Sequence, residues 1–230
     1  ASVSCYQVQS VNGKVSNIIP HAQIKHEAPV LCADVSSDQV TVFSAGCERT
    51  VKSWNVQQAQ TQPTTIGTHD QPVRCLKYAP ELSMLVTGGW DKIVKIWDTR
   101  SPTPAAQAEL SDRVYAMDCR SRALVVGTAD RQLHVFDLNM GLSKKMSQDY
   151  KSPLTYQTRS ISIFADGAGF AIGCIEGRVA LEYFANMGKN DGIGGSQAGQ
   201  PANFVFKCHR DKILSGNNSG ASKIFSVNSI

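Results

Sequence analysis

A repeated pattern around acidic residues constrains the fold of this 230-residue chain more than any other feature. Four segments each place an apolar run, a turn with small residues and an acid, and a second apolar run in the same order. The acids are 43, 39 and 46 residues apart, and they are Glu48, Asp91, Asp130 and Glu176. In the first three segments an aromatic residue follows the acid by six positions. A period of about 40–45 residues is typical of the four-stranded blades of WD-repeat propellers.

The rest of the chain also has a β pattern. Short apolar runs bounded by glycine, aspartate, asparagine, serine or proline recur, and no stretch keeps the helical spacing over a helical length. Many short strands indicate a sandwich, a barrel or a propeller, and the repeat favours the propeller. The predicted fold class is therefore all-β, a WD-repeat β-propeller.

The length suggests an incomplete propeller. Seven blades of about 42 residues would need roughly 290 residues. We therefore expect seven blades in the full protein, and here a single domain, 1–230, with about four full blades and partial blades at both ends. Residues 3–8 are expected to form the third strand of one blade, and 224–230 the first strand of another. The glycine-rich, polar segments 188–201 and 215–222 are predicted to be mobile loops.

The second repeat contains the residues of a structural hydrogen-bonded chain. Buried polar groups in a thin blade must find partners within it. A histidine before the blade, a hydroxyl on its second strand, an acid in the turn and a tryptophan on the third strand provide them: His69, Thr87, Asp91 and Trp97. The first repeat has a degraded set with glutamate in place of aspartate, and the later two lack the histidine and the tryptophan. We interpret the His69–Asp91 pair as structural; the alternative is a catalytic pair.

Composition and motifs argue against several classes of protein. The hydrophobic fraction of 42% suits a packed core, and no apolar run reaches the roughly 18–20 residues that span a bilayer. The seven cysteines show no C-x-x-C spacing, so we expect neither a metal site nor a redox dithiol, and we expect reduced thiols in the cytosol or nucleus. No nucleotide-binding or hydrolase motif is present, so we predict no cofactor, no small-molecule substrate and no enzymatic activity.

Three segments resemble one small branch of the WD-repeat proteins. They read SPLTYQTR at 152–159, IEGRVA at 175–180 and FVFKCHR at 204–210. The branch contains the nuclear-pore mRNA export factors and a spindle-checkpoint relative. The segments WDTRS at 97–101 and RVYAMD at 113–118 resemble the export factors, while the stretch around Tyr115 and residues 125–131 are partly shared with the checkpoint protein. The chain departs from the family at Trp54-Asn55, where an aromatic residue and aspartate are usual, and in its long insert at 188–201.

The resemblance implies a partner-binding face. Family members bind a GLEBS motif, a hairpin-forming segment with adjacent glutamates that an FG nucleoporin supplies to the export factors. Arg159 and Arg178 match the arginines that take these glutamates, and Trp90 matches an aromatic contact. From the residues alone, a guanidinium on a half-buried β segment needs a carboxylate or phosphate partner. An internal ion pair or an exposed arginine remains the alternative, as does a packing role for Trp90.

A second candidate surface lies near the end of the chain. Phe206, Lys207, His209 and Arg210 combine an aromatic ring with cations, which suits stacking on a base and contact with phosphate in single-stranded RNA. The net charge of residues 151–230 is +3 of the total +4, which is compatible with RNA contact. The alternative is a strand junction with a structural histidine.

Together these features predict a non-enzymatic adaptor of mRNA export, in the nucleus and at the nuclear pore, shuttling to the cytoplasm and without membrane insertion. Its expected partners are a GLEBS-containing FG nucleoporin and mRNA-protein particles. The alternative function is a spindle-checkpoint scaffold that binds the GLEBS motifs of checkpoint kinases.

Overall fold

The computed structural model describes residues 1–11, 13–57, 62–101, 103–143, 145–146, 149–186, 202–212 and 222–230. Over these residues the chain forms four four-stranded sheets and two two-stranded sheets. Each four-stranded sheet contains strands that are consecutive in sequence, the arrangement of a WD-repeat blade. The all-β WD-repeat β-propeller fold is therefore confirmed. The chain divides into two compact units, Ala1–Gln107 and Ala108–Ile230.

The first unit contains a long hairpin and two blades. The hairpin pairs β1 (Ser2–Val11) with β2 (Lys14–Lys25). The first blade consists of β3 (Val30–Val35), β4 (Thr41–Gly46), β5 (Thr50–Asn55) and β6 (Thr64–Thr68). The second blade consists of β7 (Val73–Ala79), β8 (Met84–Gly89), β9 (Ile93–Asp98) and β10 (Pro104–Glu109). The last two residues of β10 are assigned to the second unit.

The second unit contains two further blades and a short hairpin. The third blade consists of β11 (Val114–Arg120), β12 (Ala123–Thr128), β13 (Gln132–Asp137) and β14 (Tyr150–Lys151). The fourth consists of β15 (Thr158–Ile163), β16 (Gly169–Cys174), β17 (Arg178–Tyr183) and β18 (Phe204–Lys207). The hairpin pairs β19 (Arg210–Lys212) with β20 (Ser222–Ile224). Two short 3-10 turns lie at Leu138–Met140 and Phe184–Asn186.

The same backbone irregularities recur in every blade. The first strand skips one residue in its register with the second strand, which is a β-bulge, and the skipped residues are Leu31, Arg74, Tyr115 and Arg159. The residue after each repeat acid has a left-handed backbone, with φ of 67°, 66°, 68° and 62° at Arg49, Lys92, Arg131 and Gly177. The repeat seen in the sequence thus corresponds to one backbone path used four times.

Each unit has its own apolar core. In the first unit Phe43, Leu76, Leu85 and Trp97 are among the buried side chains that pack together. In the second unit a larger cluster joins the third and fourth blades, with Phe170 and Ile172 fully buried. Carboxylates also link neighbouring blades, because Asp34 accepts a hydrogen bond from the backbone N–H of Tyr78 and Asp118 accepts one from that of Ile163, each at 2.8 Å.

Some sequence expectations fall outside the described residues or differ from the structure. The predicted loop 188–201 and residues 215–221 of the second predicted loop lie outside the described residues. Ser222, the last residue of that loop, begins strand β20. Residues 225–230 form no strand, although the backbone of Val227 donates to Cys174 O at 3.0 Å.

The described residues contain no helix long and apolar enough to cross a membrane. Within the same residues no group of three or more histidine, cysteine or acidic side chains could hold a metal ion. None of the seven cysteines, all of which lie among the described residues, forms a disulfide.

Candidate partner-binding site

The four residues of the predicted structural chain lie within hydrogen-bonding distance in the second blade. His69 Nδ1 is 2.9 Å from Asp91 Oδ2, and His69 Nε2 is 2.8 Å from Thr87 Oγ1. Trp97 Nε1 donates to the same hydroxyl at 2.8 Å. The Asp91 carboxylate also accepts the backbone N–H groups of Asp70 and Ile93. Because these groups satisfy one another inside the blade, the geometry fits a role in holding the turn rather than in chemistry.

The degraded set of the first blade keeps only part of this network. His26 lies 2.7 Å from Glu48 and 3.0 Å from Ser44. Trp54 Nε1 is buried and has no hydrogen-bond partner among the described residues. Burial opposes ionisation of Glu48, but hydrogen bonds from Lys52, His26 and Thr50 outweigh it and lower the pKa of Glu48 to about 2. The longer glutamate therefore still anchors the turn.

A different network fills the third blade, and the sequence pattern did not reveal it. His134 lies on the third strand, and its Nε2 lies 3.2 Å from Ser111 Oγ. Its Nδ1 lies 2.9 Å from Asp149 Oδ1, without the alignment of a hydrogen bond. The Thr128 hydroxyl donates to Asp130 at 2.5 Å. The sequence pattern did not reveal His134, because a WD repeat has its histidine before the first strand of the blade. In the third blade Ser111 occupies that position.

Arg159 lies on the β-bulge of the fourth blade and is exposed. A bulge re-aims the side chain of its extra residue away from the regular alternation of the strand. Both Nε and Nη2 of Arg159 lie 3.3 Å from the amide oxygen of Asn228. Among the described residues no carboxylate forms an ion pair with Arg159.

Arg178 starts the third strand of the same blade and has an internal partner. Its Nε lies 3.0 Å from Glu176 Oε2, across a turn in which Gly177 has a φ of 62°. Arg210 adds a second cation, donating from Nη2 to the backbone oxygen of Glu176 at 2.9 Å and lying 3.6 Å from Glu176 Oε1. An internal ion pair, the alternative left open by the sequence, is therefore present at Arg178.

Gly177 fixes the turn that carries Glu176 and Arg178. A Cβ atom at this position would lie 2.6 Å from the backbone oxygen of Cys208 and 2.9 Å from that of Phe225. Real Cβ atoms do not approach so closely, and a side chain would also be strained at this positive φ. The glycine therefore lets three segments meet tightly beside the arginines.

Arg159 and Arg178 lie near the same end of the fourth blade, in the second unit. Asn228, which contacts Arg159, follows Val227, and Val227 N donates to the oxygen of Cys174, four residues before Arg178. Trp90 belongs to the first unit, where it follows Gly89, and its side chain is 36% exposed. Such exposure is high for a core tryptophan.

The candidate RNA-contacting residues lie on the outer strand β18 and just after it. Phe206 is 42% exposed, its ring centroid lies 6.1 Å from that of Phe204, and Lys207 is exposed beside it. His209 is also exposed and has a φ of 49°. Arg210 is more enclosed because it contacts Glu176. The structure thus leaves Phe206, Lys207 and His209 accessible.

Comparison with known proteins explains the repeated architecture. The family model described as "WD domain, G-beta repeat" matches residues 20–55 and 60–98. Similarity to individual proteins extends over almost the whole chain: a protein named RAE1 from Arabidopsis thaliana is 45% identical over 228 residues, 99% of this chain and 58% of the relative. The chain is a WD-repeat protein similar to the mRNA export factors.

Two further relatives carry related names. The Poly(A)+ RNA export protein of Schizosaccharomyces pombe is 36% identical over 231 residues, covering 100% of this chain and 59% of the relative. An mRNA export factor of Xenopus tropicalis is 39% identical over 235 residues, covering 99% of this chain and 58% of the relative. The chain of this WD-repeat protein therefore spans somewhat more than half the length of these curated relatives.

Proposed function

We propose that this WD-repeat protein is a non-enzymatic adaptor of mRNA export that binds the GLEBS hairpin of an FG nucleoporin. The observation that carries the proposal is the similarity of the chain, over nearly its whole length, to proteins named for RNA export. In this role the protein links mRNA-protein particles to the nuclear pore and shuttles between nucleus and cytoplasm.

The arginine surface of the fourth blade supports binding of an acidic segment. Arg159 and Arg178 provide two guanidinium groups from neighbouring parts of one blade, and Lys207 stands opposite Arg178 in the strand pairing. Guanidinium groups form strong, charge-assisted hydrogen bonds with carboxylates, often through two nitrogens. We assign the adjacent glutamates of the hairpin to Arg159 and Arg178, and an apolar contact of the hairpin to Trp90.

Strand β18 supports a weaker, additional contact with single-stranded RNA. The exposed ring of Phe206 offers a stacking surface, and Lys207 and His209 lie close to it in sequence. Stacking on an aromatic ring beside a cation is sequence-tolerant, which suits an adaptor that handles many messages. Arg210, held by Glu176, has the smaller part in this contact.

Direct peptide binding tests the arginine assignment. We expect the double variant Arg159→Glu with Arg178→Glu to lose binding of a synthetic GLEBS peptide in a titration, because each reversal places a carboxylate against a glutamate. The matched control reverses Arg113 and Arg122, whose side chains are 52% and 63% exposed. Circular dichroism checks that both variants are folded.

Unchanged affinity in the folded double variant would contradict the site. The spindle-checkpoint alternative is tested in the same titration, because it requires tighter binding of a GLEBS peptide from a checkpoint kinase than of the nucleoporin peptide.

A further inference from the structure

The surface around Arg178 carries more positive than negative charge. Arg178, Lys207 and Arg210 provide three cations, and Glu176 is the one carboxylate in ion-pair contact with them among the described residues. Arg178 and Lys207 are also direct partners in the pairing of β17 with β18. Like charges in directly opposed positions destabilise a sheet. The excess of positive charge therefore does not stabilise the isolated fold, but it favours binding of an anionic ligand.

Both arginines of this cluster are incompletely satisfied. The Nε atoms of Arg178 and Arg210 are shielded from solvent, and neither makes an aligned hydrogen bond with any described residue. Arg178 Nε is 3.0 Å from Glu176 Oε2, but its N–H does not point at that oxygen. A buried donor without an acceptor is costly, so Glu176 by itself leaves these two arginines incompletely paired.

We infer that Glu176 is a built-in competitor that limits the affinity of this surface for an acidic peptide. The inference rests on the proposed function, because it concerns the carboxylates that approach Arg178. Glu176 is two residues from Arg178, so it is present at high local concentration whether or not a partner is bound. An incoming glutamate must either displace it from Arg178 or accept its repulsion.

The geometry lets the internal carboxylate yield to a partner. The side chains of Glu176 and Arg178 are 22% and 34% exposed, so a ligand can reach both from solvent. Partly exposed ion pairs are worth little by themselves, and breaking this one costs the protein little. The backbone oxygen of Glu176 still accepts from Arg210 after its side chain swings away, so the turn keeps an anchor.

The test measures peptide affinity in the variant Glu176→Gln. Glutamine has the same shape but no charge, so we expect about two- to fivefold tighter binding of the synthetic GLEBS peptide at low salt. The gain should shrink at high salt, because screening weakens both attraction and repulsion between exposed charges. Glu81→Gln, an exposed position on the second blade, makes the same change in net charge and should leave the affinity unaltered.

A second variant separates charge from shape. Glu176→Asp keeps the negative charge and shortens the side chain, so its salt dependence should match that of the wild type. Tighter binding in Glu176→Gln alone supports the inference, whereas equal or weaker binding, with the wild type still binding, overturns it. If neither protein binds the peptide, the proposed function fails as well. If Glu176→Gln tightens binding of an oligouridine and not of the peptide, the surface serves RNA and the inference is wrong.

Discussion

At the scale of single residues, the hydroxyl of Thr87 is the shared hydrogen-bonding partner of two buried rings in the second blade. It is fully buried and lies 2.8 Å from both His69 Nε2 and Trp97 Nε1. Thr87→Val removes it and leaves two buried ring nitrogens without their partner, so we expect a loss of about 2–3 kcal/mol in unfolding free energy. Urea denaturation followed by circular dichroism measures this loss.

The matched change in the first blade is Ser44→Ala. Ser44 contacts His26 at 3.0 Å, and Trp54 Nε1 already has no partner among the described residues. We therefore expect a smaller loss, about 1 kcal/mol. Equal losses of unfolding free energy in Thr87→Val and Ser44→Ala would contradict this account, because the complete hydrogen-bonded set of the second blade would then add no stability.

A second residue-scale prediction concerns the pH dependence of stability. Burial raises the pKa of Glu182 from 4.5 to about 7, and the side chain accepts a hydrogen bond from Asn203 Nδ2 at 2.8 Å. Between these pH values the unfolded chain has released this proton while the folded protein holds it, so this site lowers stability as the pH rises.

The comparison with Glu182→Gln isolates this site. Glutamine keeps an oxygen for Asn203 and cannot ionise, so the variant should gain stability relative to the wild type as the pH rises from about 5 to about 7. Thermal unfolding of both proteins across this range provides the measurement. A stability difference that does not change with pH would mean that Glu182 is not held protonated.

At the scale of elements, carboxylates that reach from one blade to the next hold the strands in place. Asp118 is buried on β11 and accepts the backbone N–H of Ile163 on β15. Asp118→Ala should cost about 2 kcal/mol and speed amide exchange at Ile163, because this N–H is left buried without an acceptor. Asp34→Ala, on the more exposed strand β3, should cost less, and the reverse order would contradict this account.

The sequence predicts these elements well where one blade repeats another. The spacing of Glu48, Asp91 and Asp130 marks the turn between the second and third strands, and each is followed by a residue with left-handed backbone. The sequence pattern could not predict the bulge that carries Arg159, because a bulge depends on how two strands pair. The contact of Arg159 with Asn228, 69 residues away, has no local pattern either.

At the scale of the whole molecule, motif resemblance and similarity to known proteins agree on the family, and both arginines of the candidate site, Arg159 and Arg178, lie in the second unit. The ion pair at Arg178 could not be decided from the sequence, because two residues that flank a glycine can point together or apart. The structure joins Glu176, Arg178 and Arg210 through a turn that depends on Gly177. Arg159 and Arg178 could thus be predicted from the sequence, whereas the charged groups that surround them depend on the fold.

The central proposal is that this protein binds an FG nucleoporin through the arginine surface and so links messenger RNA to the nuclear pore. A pull-down from nuclear extract, read by mass spectrometry with and without RNase, tests it most directly when the wild type is compared with the Arg159→Glu, Arg178→Glu variant. We predict that the wild type recovers an FG nucleoporin and, without RNase, RNA-linked export proteins, and that the variant loses the nucleoporin. Equal recovery of the nucleoporin by the variant, or recovery of checkpoint kinases in its place, would contradict the account.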